Sequence, residues 1–482
     1  MSSPDRVRTL TRRWMPARMQ RIALVAPVDR LRDTLVAVAA SGTVELDQPT
    51  GSDGAPPAEA GRALQRLGVH PGSAHMDAQV TLSATAPDVA ALERAGAAGL
   101  LAGEAQLQRY AAGAVHRGDL AAMGGWCPSE QLPTLRTGLG AAGAAAVPMP
   151  TPRGVDPPTL LGAAPGLRGG FAALVRTYGT VPYHDIDPTM WAGLAYVVMF
   201  GMMFGDVGHG LLIVAAAVML RMGWIRRFAS LKPMWVFIAA AGVAATIFGV
   251  LYGECFGPTG IVPVVWLSPL ADPLRLLLVA LAVGAVLLGV AYTVGAVNRW
   301  REGGVRLALY APSGIAGAIV FVGAGAVVAG YTTGPRVLVA VGAAVSAAGL
   351  LLALAGLYAE SGGGASGVLQ AAVGGLDLVV RLGSNLVSFA RLAAFGMTHA
   401  ALGWVVWRGT TALWGHGWAG AVGAVLVFVV GNAVAFALEA LVAGVQALRL
   451  EFYELFSRVF IGEGRPFRPW MIPVVATEAA TC

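Results

Sequence analysis

The chain has 482 residues, of which 56% are hydrophobic and 12% charged, with 33 basic against 27 acidic side chains and a net charge of +6. Soluble domains carry about 25% charged residues, so this composition, with a mean hydropathy of +0.66, excludes an ordinary soluble protein and indicates a polytopic membrane protein. Cys127, Cys255 and Cys482 lie far apart without metal-ligand spacing, so neither a zinc site nor a disulfide framework is expected.

The start, "MSSPDRVRTLTRRWMPARMQ", is basic but has no apolar core, so it does not read as a cleaved signal peptide. The N-terminal region is expected to stay in the cytoplasm. "RMQRIALVAP" reads as a buried strand, "VDRLRDTLVAVAASG" as an amphipathic helix closed by Gly42, and "TVELDQ" as a second strand. "GSDGAPPAEAG" is read as a loop, and a helical stretch is expected from about Asp88 to Ala114. "LAAMGGWCPSEQLPTLRTGLGAAG" reads as a further strand-helix unit, and the Pro-rich "VPMPTPRGVDPPTL" as the link to the apolar part of the chain. No P-loop is present in this part, and no nucleotide site is expected there. The division is placed at Pro188: residues 1–187 as a small cytoplasmic α/β domain, 188–482 as a polytopic α-helical membrane domain.

Apolar runs of spanning length are expected at about 190–222, 234–255, 273–297, 305–330, 336–358, 374–408 and 418–455. The connection with Arg221, Arg226, Arg227 and Lys232 is basic, as is that with Arg299, Arg301 and Arg306, so both should face the cytoplasm. A cytoplasmic N-terminus then requires the first run to fold back near Gly205–Gly210. That gives about eight passes and a cytoplasmic C-terminus. Within "MFGMMFGDVGHGLL", Asp206 and His209 are one helical turn apart. Two ligands make no metal site, and the glycines around them favour close helix packing with polar anchoring.

"SNLVSFARLAAFGMTHAALG" carries Arg391 near the middle of an apolar run. Its guanidinium cannot lose its proton, and at a helix centre it costs roughly 2.5 kcal/mol or more. It should therefore face an aqueous cavity or an acid. Asp377, Arg381, Ser384, Ser388, Arg391 and Thr398 share one helix face, with His399 one position off it. Asn432, Glu439, Gln446, Arg449 and Tyr453 line one face of the next run. Two adjacent long helices thus each carry a polar stripe and are expected to be tilted or to project beyond the bilayer. A purely structural Arg391 would pair internally with Glu439, and a serine such as Ser384 or Ser388 would bond its own backbone.

"MFGMMFGDVGHG", "GTVPYHDIDPT", "VLYGECFG", "SFARLAAFGMTHA" and "LEALVAGVQALRLEFYELFSRVFIGEGRPFRPW" resemble segments of the a subunit, or subunit I, of rotary V-type and A-type ATPases. "MQRIALVAPVDRLRDTLVAVAASGTVELDQ" and "AAMGGWCPSE" resemble that family's two cytoplasmic lobes. The resemblance implies that Arg391 is the stator arginine and that His399, Glu439 and Arg449 take part in ion translocation. Ser388, Asn432, Gln446, Asp206 and His209 are secondary half-channel candidates. It also implies eight membrane helices, a ring of proteolipid subunits (c or K) as partner, peripheral-stalk subunits, a central-stalk cap subunit (d or C), and membrane lipid. The implied location is the cell membrane, with no nucleic acid, no cofactor or metal, and ATP handled by other chains. The chain departs from the family in its short N-terminal part, which lacks room for the usual long helical hairpin. A stand-alone secondary transporter is the alternative, although no second copy of the 374–455 pattern is present in the first half. A plain membrane anchor leaves Arg391 and Glu439 unexplained.

Overall fold

The computed structural model describes residues 16–48, 58–68, 80–152, 154–160, 167–224, 226–459 and 464–475. The basic segment before residue 16, most of the loop at 51–61 and Cys482 lie outside them. Contacts divide the chain into two compact units, one built from Pro16–Gly162 with the residues from Gly464 onward, the other from Ala163–Glu463.

The first unit begins as its sequence suggests. Strand β1 (Met19–Pro27) leads through a single tight turn into α1 (Leu31–Ser41). Leu31, Leu35, Val38 and Ala39 of α1 recur at helical spacing and are buried, and Gly42 ends it in the left-handed region at φ 57°. Next along the chain are β2 (Glu45–Leu46), α2 (Glu59–Arg66), β3 (Leu82–Ser83), α3 (Val89–Arg94) and α4 (Ala98–Ala112). Then come β4 (Val115–Arg117), β5 (Leu120–Pro128), α5 (Leu132–Ala141) and β6 (Ala145–Pro148). The single helix expected from Asp88 to Ala114 is two, because Gly96 takes a positive φ between α3 and α4. The sheet order is β2-β5-β1-β6, with β4 beside β5 and every pairing antiparallel, a split β-α-β pattern. Cys127, at the end of β5, is free and buried, and burial pushes its thiol up to about 11.

The chain's last described segment completes this unit. Trp470 donates its backbone N–H to Val44 O at 2.8 Å and its indole N–H to Gln106 at 3.2 Å, and it packs on Tyr110 within the core. Beyond it, β7 (Val474–Val475) pairs parallel with β3. The tail grouped with the membrane part on sequence grounds is therefore packed with the α/β elements.

The second unit holds α6 (Leu167–Tyr178), α7 (Thr189–Met203), α8 (Val207–Met222), α9 (Trp235–Tyr252) and α10 (Pro273–Tyr310). It continues with α11 (Ile315–Thr333), α12 (Arg336–Glu360), α13 (Gly364–Ser388), α14 (Ala390–Trp414) and α15 (Gly417–Leu450). Among the described residues six helical runs are long and apolar enough to cross a membrane, against the eight passes expected; α7 and α8, of 15 and 16 residues, are shorter. The expected fold-back is present at Phe204–Asp206. Gly201 lies against Ala244 and Gly205 against Phe248 and Tyr252, whereas Gly249 lies against Val207 and Gly242 against Gly210 and Val214. So α7 runs parallel to α9 and α8 runs antiparallel to it.

The run expected at 305–330 begins instead at Ile315, since α10 continues to Tyr310 across a kink at Gly303 and Gly304. Polar contacts anchor this end of α10. Asn298 accepts from the Ile186 N–H at 3.0 Å and donates to Val459 O at 2.9 Å. Beside them Asp185 is fully buried, and that burial, with the Glu302 carboxyl next to it, pushes its carboxyl up to about 8.

Trp470→Ala should destabilise the α/β unit by about 3 kcal/mol, read from denaturant unfolding followed at this unit in the full chain; an unchanged midpoint would mean that the tail is not part of the core. For Asp185, the folded chain holds the proton more tightly than the unfolded one. The stability it contributes is complete below about pH 4 and is lost as pH rises through about 8. Asp185→Asn should flatten the fall in Tm between about pH 5 and 9 in detergent, and parallel Tm curves for the two proteins would refute this.

Candidate functional site

The run that carries Arg391 is longer than expected and is not one helix. It extends over Gly364–Trp414 and is interrupted at Phe389, whose side chain is fully buried. Arg391 is the second residue of α14. Its neighbours Ser384, Asn385 and Ser388 come from the end of α13, and Arg449, Tyr453 and Glu454 from the end of α15 and beyond. Together they line a groove of about 620 Å³.

The acid nearest Arg391 is Glu454, with Nη1 3.4 Å from Oε1. Charge-assisted bonds of this kind usually measure about 2.7–2.9 Å, so the pair is loose. The Arg391 side chain keeps 30% exposure while Glu454 is buried, with Oε2 unpartnered. Sequence spacing missed Glu454 because the chain winds as a π-helix over Glu451–Phe456. One π turn is five residues rather than four, which brings Glu454 rather than Tyr453 under the turn that holds Arg449. Asp377 and Arg381 form an exposed i,i+4 pair, and Thr398 bonds Ala394 O in its own helix.

A second polar island lies farther along the same two helices. His399 of α14 pairs through Nδ1 with Glu439 of α15, so the internal Arg391–Glu439 pair does not form. Asp206, at the start of α8, accepts from the His209 N–H at 2.8 Å and, through its other oxygen, from the Gly257 N–H at 3.0 Å. The "VLYGECFG" loop thereby caps the fold-back, with Gly257 at φ 90° against the backbone of Gly403. The His209 and His399 rings lie 5.7 Å apart, walled by Phe204, Phe256 and Phe436. Asn432 adjoins His209, donates to Phe428 O, and keeps a buried Oδ1 without a partner. Gln446 lies on α15 between the two islands, its Oε1 buried and unpartnered.

The sequence candidates thus fall into two groups. Arg391, Ser388 and Arg449 share the groove; His399, Glu439, Asp206, His209 and Asn432 share the buried island. Sequence reasoning did not single out Glu254, Glu451 or Glu454. Glu254 and Glu451 are buried and carry unpartnered oxygens, and Glu454 faces Arg391. The available signal was an acid standing alone among aromatic and aliphatic neighbours, as Glu254 does in "VLYGECFG".

The V-type ATPase 116kDa subunit family matches residues 114–260, a segment that holds β5, the α7–α8 fold-back and Glu254. The A-type ATP synthase subunit I of Pyrococcus horikoshii is 29% identical over 313 residues, covering 62% of this chain and 45% of that protein. The subunit I of Thermococcus kodakarensis is 30% identical over 326 residues, or 64% and 46%. The V-type ATP synthase subunit I 2 of Treponema pallidum is 37% identical over 89 residues, 18% of this chain and 19% of that protein. The chain spans about half the length of the curated archaeal relatives it matches over most of its own. The chain is thus similar to the V-type ATPase 116kDa subunit family over a segment that contains the fold-back, and to archaeal A-type ATP synthase subunit I over more than half of its own length.

Proposed function

We propose that this chain is the stator membrane subunit of a rotary ATPase and passes protons or sodium ions to and from a ring of proteolipid subunits. The observation that carries the reading is Arg391: a permanent cation in the middle of a 51-residue apolar run, opening on a groove and held only loosely by Glu454. A side chain fixed for structure alone would be saturated by its own acid. This one keeps donors free for a carboxylate brought by a partner.

In this reading the groove and the buried island belong to two half-channels. Arg391 and His399 are eight residues apart, about 12 Å along α14. Between them the helix pair is packed with Leu392, Ala393, Ala443 and Ala447, all buried. Gln446, its Oε1 buried, is the polar side chain named in that stretch, so the layer between the islands is mostly apolar. A ring carboxylate passing Arg391 is favoured in its ionised form by the adjacent positive charge and gives up its ion on one side. The next carboxylate loads on the other. His399 and Glu439 line the second path with Asp206, His209 and Asn432, while Arg449 lies beside Arg391 at the mouth of the first. α7 and α8 together supply the passes that bring the count to eight, with both termini in the cytoplasm. Peripheral-stalk and central-stalk cap subunits would meet the α/β unit, and ATP turnover would take place on other chains.

Arg391→Lys and Arg391→Ala should abolish ATP-driven ion pumping in vesicles while the complex still assembles with its proteolipid; normal pumping by either variant would remove Arg391 from the mechanism. Glu439→Gln should lower the pumping rate by about a hundredfold, in line with the loss of a positioned proton-transfer group, and an unaffected rate would take the island out of the ion path.

A further inference from the structure

The sequence supplies Asp206 and His209, two candidate ligands one turn apart. The fold brings a third from 190 residues downstream. One ligand atom each of Asp206, His209 and His399 lie within 4.8 Å of one another, and all three residues are buried. We propose that these residues form a binding site for a divalent transition-metal ion of the zinc class, with Glu439 as the outer carboxylate that orients His399.

The donor set suits such an ion: two imidazoles and one carboxylate, with room for a fourth ligand. Atoms bound to zinc at about 2.1 Å stand roughly 3.4 Å apart, so closure requires shifts of about an ångström shared among three side chains. His399 is already arranged as metal-bound histidines usually are. Its Nδ1 is committed to Glu439, which leaves Nε2 directed elsewhere.

His209 is the stronger sign. It is 2% exposed, neither ring nitrogen makes a well-formed hydrogen bond, and its polar neighbour besides Asp206 is the Asn432 side chain. The nearest carboxylate oxygen, Asp206 Oδ1, is 3.7 Å from Nδ1, beyond hydrogen-bond range. Buried polar groups are almost always paired. A metal ion would satisfy this ring, and Asn432 Oδ1, unpartnered beside it, offers a fourth oxygen. The aromatic wall excludes water and so favours a tightly held ion over a hydrated one. Asp206 has a free lone pair on each oxygen after its two backbone bonds. With Glu439 it gives the island two formal negative charges to set against a dication.

Because His399 and Glu439 are also placed in the second half-channel, a bound ion would block that path. This consequence rests on the proposed function; the binding itself does not. The test uses the full chain purified in detergent, free of chelator, with Co²⁺ as probe and Zn²⁺ as competitor. One equivalent of Co²⁺ should give visible ligand-field absorption, displaced by Zn²⁺. His209→Gln should abolish it, and Glu439→Gln should weaken Co²⁺ affinity about 10- to 100-fold. Cys255→Ser and His416→Ala should leave it unchanged. Absence of the bands in the wild type, their persistence in His209→Gln, or their loss in Cys255→Ser would each overturn the site. In the assembled complex, Zn²⁺ should inhibit pumping. If Co²⁺ binds through His209 while Zn²⁺ leaves pumping intact, the site stands and the half-channel role of the island falls.

Discussion

A guanidinium that cannot be neutralised, set in apolar helices, is the constraint that shapes the arrangement around it. Arg391 needs polar surroundings that its own helix cannot supply, because its near neighbours along the chain include Val387, Leu392 and Phe395. Three adjustments provide them. The helix breaks at Phe389, the end of α13 contributes Ser384 and Ser388 to an open groove, and the end of α15 winds as a π-helix that brings Glu454 to 3.4 Å. Each adjustment gives up some regular helix geometry, and each would lack a purpose around a leucine. The π segment also carries Glu451, fully buried with both carboxylate oxygens unpartnered.

Asp206 plays the corresponding part at the other island. An apolar chain that reverses direction inside a bilayer exposes backbone groups that lipid cannot satisfy. One carboxylate meets two of them, the N–H groups of His209 and Gly257, while Val207 donates to Glu254 O. The two motifs "MFGMMFGDVGHG" and "VLYGECFG" are therefore one structure. The close approach of Gly249 to the backbone of Val207, where a Cβ would stand 2.3 Å from the nitrogen, leaves no room for another residue there. Reversal by this device places His209 where α14 can deliver His399 to it.

Much of this is legible in the residues. Strand β1, helix α1 with its Gly42 stop, the β5–α5 unit and the reversal near Gly205 are each signalled by periodicity, turn residues or charge parity. The polar stripes on α14 and α15 select most of the residues in both islands. Three things stay hidden, each for a physical reason. A π turn breaks the counting rule that a stripe relies on, so spacing selects Tyr453 in place of Glu454. Pairing between helices depends on their stagger, which spacing along one helix cannot express, so an internal Arg391–Glu439 pair stays open in the sequence and only the structure pairs Glu439 with His399. The return of Trp470 and Val474–Val475 to the α/β unit is a long-range pairing made by residues that read locally as an irregular tail.

The stagger also shapes the two islands differently. Contacts at Arg391–Glu454 and His399–Glu439 are eight residues apart on α14 but fifteen apart on α15, about 12 Å against roughly 20 Å of helix. Two helices in straight antiparallel register would advance equally, so the difference must be absorbed by a crossing angle, by the reach of the arginine and by the shorter rise of the π turn. Helices that advance unequally do not close their interface evenly, and the Arg391 end carries a groove while the other holds an aromatic-walled island. On the proposed reading this asymmetry is functional. The open end admits a partner's carboxylate to the cation, while the sealed end confines ions to the imidazole–carboxylate path.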